Sequence, residues 1–529
     1  MLLKQNSFLL YIFLSLHLDF VLTHNITLRY NVVLVLFDDL RPVIGGYGDQ
    51  LAQTPHLDAF MKESHYFTRA YSQQSLCAPS RNSMLTGRRP DTLRLYDFYS
   101  YWRTFAGNFT TLPQYFKEHG YYTYAAGKVF HPGISSNNTD DYPYSWSERP
   151  FRPMTEKFMN SPVCPDSNGV LRKNLICPVH LQTQPFKTLP DIESVAEAIR
   201  FIKSRAHTRK PCFLALGFHK PHINFRFPKL FLENFKLKSF FNYTEGAYKP
   251  LDMPNVAWNP YIDVRSRDDF KYQNISFPYG PISHIQGAQI RQAYYASVAY
   301  VDDLFGKLME HVNRENTIVL VTSDHGWSLG EHAEWAKYSN FEVALRVPLI
   351  IRSPEFQLAG EGKKIHAISE LLDVFSTLVD LAHLPRLPAC NASRATRKQL
   401  TCTQGKSLYP LLVGLHPDDD LQALSQYPRP GLHPTKHPNS DKPKLQNIKV
   451  MGYSLRTEDY RYTLWVRYHA QNFSCDWHDI YGEEMYDHRL DSGEDMNLIE
   501  LPEFDDIRMW LRQKLIKHRE MSRNYLFIF

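Results

Sequence analysis

Four short runs stand out when the chain is read as a pattern of apolar and polar positions. Residues 31–37 (NVVLVLF), 121–126 (YYTYAA), 213–217 (FLALG) and 317–322 (TIVLVT) are nearly unbroken and mostly β-branched, aliphatic or aromatic. Such runs fit strands buried on both faces. Helical patterns lie between them: 112–119, stopped by Gly120; 192–205, amphipathic; 290–314, the longest; and 369–382, ended near Pro385. Strands alternating with helices predict an α/β fold around a large, mainly parallel or mixed central sheet. From 415 to 444 Pro, Asp, His and Ser dominate, which reads as loop or linker. Beyond it, 449–456 and 460–466 alternate around Thr457-Glu458-Asp459 as a β-hairpin, and 504–520 reads as a terminal helix. The expected organisation is a main domain over 25–420 and a smaller α+β subdomain over 421–529.

Each apolar run gives way to chemistry-bearing residues. Asp38-Asp39 follow the first and Gly127-Lys128, then His131, the second; Phe218-His219-Lys220-Pro221-His222 and Ser323-Asp324-His325-Gly326 follow the third and fourth. In open α/β sheets ligands sit beyond the carboxyl ends of the strands, so four such ends on one edge predict a site. Asp38, Asp39 and Asp324 are hard oxygen ligands suited to Ca²⁺ or Mg²⁺. Adjacent buried carboxylates repel unless a cation or proton neutralises one. The plainer alternative is a surface Asp-Asp turn, and for any single Lys or His a solvated or core position. Arg81, Lys128 and Lys337 supply positive charge for an anion, Arg81 with a fork able to grip two oxygens. His131 and His222 are candidate acid and base.

Composition narrows the class. The 529 residues carry a formal charge of +5, with 43% hydrophobic, 14% aromatic and 22% charged residues. This is ample for a packed core, and without a dense Lys/Arg block it gives no sign of nucleic acid binding. Lys4 followed by an apolar run over 8–16 fits a secretory leader over 1–24, and no later run is long enough for a membrane span. A buried N-terminal strand is the alternative. Sequons begin at Asn25, Asn108, Asn137, Asn242, Asn274, Asn391 and Asn472. Of seven cysteines, Cys164 with Cys177 and Cys390 with Cys402 read as local disulfides of an oxidising compartment, zinc being the alternative, disfavoured because no C-x-x-C occurs. Cys212 opens an apolar strand and reads as core, and Cys475 has no evident role.

Cys77 remains, in Cys77-Ala78-Pro79-Ser80-Arg81, running on to Leu85-Thr86-Gly87-Arg88. On its own it is a small buried residue as readily as a reactive one. With 35–42 (VLFDDLRP), 54–58 (TPHLD), 127–133 (GKVFHPG) and 322–326 (TSDHG), it resembles the type I sulfatases of the alkaline phosphatase-like superfamily. Segments 87–97, 218–222, 325–340 and 425–430 are most similar to the branch acting on 2-sulfated iduronate in dermatan and heparan sulfate. The resemblance implies a sulfuric ester hydrolase whose Cys77 is oxidised during secretion, by a formylglycine-generating enzyme, to an aldehyde. One hydroxyl of its hydrate would attack sulfur and the other would expel sulfate. It also implies one Ca²⁺ bound by Asp38, Asp39, Asp324 and His325 and faced by the modified Cys77; His325 stands where many sulfatases have Asn. Arg81 and Lys128 would stabilise the hydrate and the sulfate. Lys337 and His222 would contact the sulfate or leaving oxygen, His131 would assist proton transfer, and Trp327 would stack on the sugar or serve as core. A monomeric, lysosomal or secreted glycoprotein acting on sulfated glycosaminoglycan is expected. The rivals are a phosphatase or phosphodiesterase of the superfamily, disfavoured by C-x-P-S-R, a sulfatase for another sulfate ester and a non-catalytic binder of sulfated glycans.

Overall fold

The apolar run at the start becomes the central strand β1 (Asn31–Asp38). Its side chains alternate between two cores: Val33, Val35 and Phe37 enter one, and Val32, Leu34 and Leu36 the other. That is why 32–37 has no polar positions. The computed structural model describes residues 29–523 apart from 167, 242–248, 357–361, 391–398 and 416–420. The expected leader (1–24) and the sequon residues Asn25, Asn242 and Asn391 lie outside the described residues.

In chain order the elements that frame the site are β2 (His65–Tyr71), α1 (Cys77–Thr86), α2 (Leu112–Glu118), β3 (Tyr122–Gly127), α3 (Pro190–Arg205), β4 (Cys212–Pro221), α4 (His284–Met309), β5 (Thr317–Ser323), β6 (Arg346–Arg352), β7 (Lys363–Glu370) and α5 (Asp373–Leu381). The sheet runs β7-β2-β6-β5-β1-β4-β3. β1 pairs in parallel with β4 and β5, and β3 in parallel with β4. β6 is antiparallel to both neighbours, so the sheet is mixed. Helices α3 and α4 contribute to the first core and α1, α2 and α5 to the second. The long helix begins at His284 rather than 290, where Ser283 and Gln286 form a capping box. The pattern read as one helix from 369 splits into the end of β7 and then α5.

A second, antiparallel sheet follows: β8 (Ala423–Arg429), β9 (Val450–Arg456), β10 (Tyr460–His469) and β11 (Ser474–Asp487), in that order, with α6 (Asp505–Arg523) against it. Strand β8 lies inside the stretch read as linker. It is fully buried, and tertiary pairing with β9 overrides its prolines and polar residues. Both expected disulfides, Cys164–Cys177 and Cys390–Cys402, are present. Cys212 is half-buried rather than core, its Sγ 3.3 Å from Asn31 Oδ1. Asn108, Asn137, Asn274 and Asn472 are exposed.

Candidate active site

The parallel register puts the carboxyl ends of β1, β3, β4 and β5 on one edge, and the predicted residues meet there. Asp38 closes β1 and Asp39 follows with φ 66°. This left-handed conformation is unusual outside Gly, Asn and Asp. Tyr294 on α4 holds it: its hydroxyl donates to the Asp39 carbonyl at 2.7 Å and accepts from the Arg41 amide at 3.0 Å. Sequence reading missed Tyr294, whose only signal was a hydroxyl on the buried face of a long helix. At the end of β3, Gly127 (φ 78°) and Gly217 let the backbones close up; a Cβ on Gly217 would lie 2.0 Å from the Lys128 carbonyl oxygen.

Cys77 is the first residue of α1 and is 2% exposed. Its Sγ lies 3.1 Å from Lys337 Nζ, 3.4 Å from His325 Nε2 and 4.0 Å from Asp39 Oδ1. Burial, with Asp38 beside it, pushes the thiol above its ordinary range, so as cysteine it is a protonated, weak nucleophile. Lys337 bonds Asp39 Oδ1 at 2.7 Å and Lys128 bonds Asp38 Oδ2. Asp324 Oδ1 accepts from the amides of Asp39 and His325 at 3.1 and 3.0 Å.

Arg81 is fully buried, and all five of its N–H donors are engaged. They go to Asp324 Oδ2 (2.8 Å), Asp38 Oδ1 (3.3 Å) and the carbonyls of Phe37, Lys128 and Val129. It braces two carboxylates and two strand ends beside the position expected for the hydrate and the sulfate.

The cluster is built to take a positive charge. Asp38, Asp39, Cys77, Asp324 and His325 each offer a ligand atom, and these atoms all lie within 4.8 Å of one another. Asp39 Oδ2 is buried without a hydrogen-bond partner. His325 Nδ1 bonds the Gly326 carbonyl at 3.0 Å, so it carries the proton and leaves Nε2 facing the carboxylates. Burial holds this imidazole down at about 4. Burial raises Asp39 to about 7, Asp38 and Asp324 adding to it and Lys337 opposing. An orphaned carboxylate oxygen, two further carboxylates and a neutral imidazole fit a hard divalent cation.

His131 and His222 are half-buried, unlike the rest of the cluster. His222 Nδ1 bonds the Ile223 carbonyl at 2.5 Å, and the His131 ring packs tilted against that of Phe98 at 4.4 Å. Burial holds both imidazoles well below the usual histidine range, the Lys128 ammonium adding to this at His131. Trp327 is 1% exposed, its ring 6.0 Å from that of Phe225 and 5.9 Å from the Lys337 ammonium.

A model of the Sulfatase family matches residues 30–384. The chain belongs to the sulfatase family. It is 46% identical over 492 residues to iduronate 2-sulfatase of Mus musculus, covering 86% of this chain and 88% of that protein. To iduronate 2-sulfatase of Homo sapiens it is 46% identical over 505 residues, 88% and 90% of the two chains. Among solved structures, a phosphonate monoester hydrolase of Agrobacterium radiobacter shares the fold, with a TM-score of 0.68 at 20% identity over 93% of this chain and 96% of that one. This sulfatase is therefore a sulfuric ester hydrolase. Among the described residues no helix is long and apolar enough to cross a membrane.

Proposed function

We propose that this sulfatase removes the 2-O-sulfate of iduronate at the non-reducing end of dermatan and heparan sulfate, using formylglycine at position 77 and Ca²⁺. The observation that carries this reading is the placement of Cys77. It opens a buried helix, between the Lys337 ammonium and the imidazole of His325, beside the Asp39 carboxylate, whose Oδ2 has no partner. The iduronate specificity is supported by 46% identity over most of the chain to two proteins named for that activity.

Asp38, Asp39, Asp324 and His325 would hold the cation, which supplies fixed positive charge against the sulfate oxygens. Formylglycine supplies, as its hydrate, two hydroxyls on one carbon: one to attack sulfur and one whose deprotonation expels sulfate. Lys128 and Lys337 neutralise the anion from two sides and cost no reorganisation, because Asp38 and Asp39 already hold them. Arg81 keeps the carboxylates in place. Half-buried His131, a neutral imidazole, would take a proton from the hydrate, and His222, whose Nδ1 proton the Ile223 carbonyl holds, would take up a proton at Nε2 before giving it to the leaving oxygen. Trp327 forms the floor beneath Lys337. The division at 420/421, a monomeric state, glycosylation of the exposed sequons and a lysosomal destination complete the proposal.

Peptide mass spectrometry of secreted protein is expected to find the aldehyde at position 77. Sulfate release is expected from a 2-sulfated iduronide and to vanish in Cys77→Ala. A thiol at position 77 in nearly all molecules would overturn the mechanism. Turnover confined to other sulfate esters would overturn the substrate.

A further inference from the structure

Lys337 reaches position 77 from a segment whose backbone is bent on both sides. Ala336 (φ 72°) and Tyr338 (φ 77°) are both in the left-handed region, which is costly for residues with ordinary side chains and persists only when the surroundings impose it. The main-chain carbonyls show what imposes it. Asn259 Nδ2 donates to the carbonyls of Trp335 (2.8 Å) and Lys337, while its Oδ1 accepts from the Tyr261 amide at 2.7 Å. Arg429, from β8 of the second sheet, donates through Nη2 to the Tyr338 carbonyl at 2.6 Å and the Ala257 carbonyl at 3.0 Å. Its Nε and Nη1 donate to the carbonyls of Val256 (3.0 Å) and Ser440 (3.3 Å). Ser75, two residues before Cys77, donates its hydroxyl to the Ser339 carbonyl at 2.7 Å. Lys337 is thus flanked by carbonyls fixed from three distant parts of the chain.

Arg429 is 2% exposed, and its hydrogen bonds go to four carbonyls rather than to a carboxylate. Burying a guanidinium without an ion-pair partner is an expensive way to hold a fold together. A fork that fixes several carbonyls at once is, however, what a twice-bent segment requires. We propose that Arg429, with Asn259, is a positioning residue for Lys337, so that the second sheet sets the place of an active-site ammonium. The inference rests on the proposed reading of the site, in which Lys337 touches the sulfate ester.

The test is a double-mutant cycle on the full-length secreted protein: wild type, Arg429→Lys, Lys337→Met and the pair. Wild-type turnover is measured first on a 2-sulfated iduronide and on an aryl sulfate. Turnover of the aryl sulfate alone would fault the substrate reading and leave the cycle readable on that ester. For Arg429→Lys, kcat is expected to fall about 10- to 100-fold, the scale of a small misplacement of a reacting group. KM is expected to stay within about threefold. In the Lys337→Met background the same change is expected to cost nothing further, since two residues acting through one group are not additive. Retention of wild-type kcat in Arg429→Lys, or repetition of its full loss in the Lys337→Met background, would overturn the proposal. Asn259→Ser, which removes two of the bonds, carries the same cycle if Arg429→Lys does not fold.

Discussion

Among the described residues two groups of acids have the atoms to hold a metal ion, and they differ in one respect. At the sheet edge Asp38, Asp39 and Asp324 meet Arg81, Lys128 and Lys337, yet Asp39 Oδ2 has no partner. Between the two sheets Glu342, Glu494 and His488 meet Arg456 and Arg461. There every carboxylate oxygen is satisfied. Arg461 bonds Glu342 at 2.6 Å and Glu494 at 2.5 Å, Tyr71 donates to Glu342 at 3.0 Å, and the Glu342 amide donates to Glu494 at 2.6 Å. Burial would raise both glutamates, but the arginines overcome it and hold them low, whereas Asp39 is left at about 7. Both groups have the residue types and spacing of a metal site. Closure of the charge and hydrogen-bond account is what distinguishes a structural clasp from a place kept ready for a ligand.

The largest expected effect is on catalysis. Asp39→Asn is expected to lower kcat/KM by more than about 10³-fold through loss of a cation ligand and of the Lys337 partner. Its Tm is expected to respond little to a chelator, because a ligand to the cation is gone. A chelator is expected to lower wild-type activity and Tm, and added Ca²⁺ to restore both; a chelator shift of equal size in Asp39→Asn would erase the contrast. Arg461→Met attacks the other group. It leaves Glu342 and Glu494 buried with too little charge to balance them, at an expected cost of about 3–5 kcal/mol in urea unfolding. The activity of the folded fraction is expected to remain near wild type. A loss of activity without a loss of stability would mean the second group takes part in the chemistry.

The smallest effect is that of pH on stability. Burial raises Glu334 to about 8 and Glu484 and Asp441 to about 7. A carboxyl whose folded pKa is raised holds its proton in the native state at pH values where the unfolded chain has lost it, so stability falls as pH rises between the two values. Between about pH 7 and pH 8 the buried histidines held low are already neutral in the folded and the unfolded chain, and there Tm is expected to decline, with the decline set by these raised groups. Glu342, held low, acts in the opposite sense and only in more acidic solution. The Arg461→Met protein is expected to keep the decline, since Glu334 and Asp441 lie outside its network and the Glu494 carboxylate only adds to the raising of Glu484. A Tm that rises towards pH 8 would contradict this account.

Much of the catalytic edge was legible because its strands are extreme. A strand buried on both faces has no room for polar residues until it ends, so NVVLVLF followed by Asp-Asp announces both the strand and the site. Strands with mixed surroundings were silent. HYFTRAY (β2) alternates weakly, Lys363–Glu370 (β7) begins with two lysines at a sheet edge, and Ala423–Arg429 (β8) carries proline and polar side chains that only pairing with β9 makes sense of. Among site residues, those that carry charge at strand ends could be found. Those that hold another residue's backbone, Tyr294, Asn259 and Arg429, could not, because a hydrogen bond to a distant carbonyl leaves no local pattern. For the same reason the bracing done by Arg81 went unread: its type was visible but its five partners were not.

Cys77 is shut away once the chain has folded, under Lys337 and behind the carboxylates. On the proposed reading, an enzyme that oxidises it would have to reach the segment while it is still extended. Oxidation and folding would then compete in time, with the faster step deciding whether a molecule is active for its lifetime. A variant that folds sooner would leave more permanently inert copies, each indistinguishable in shape from an active one.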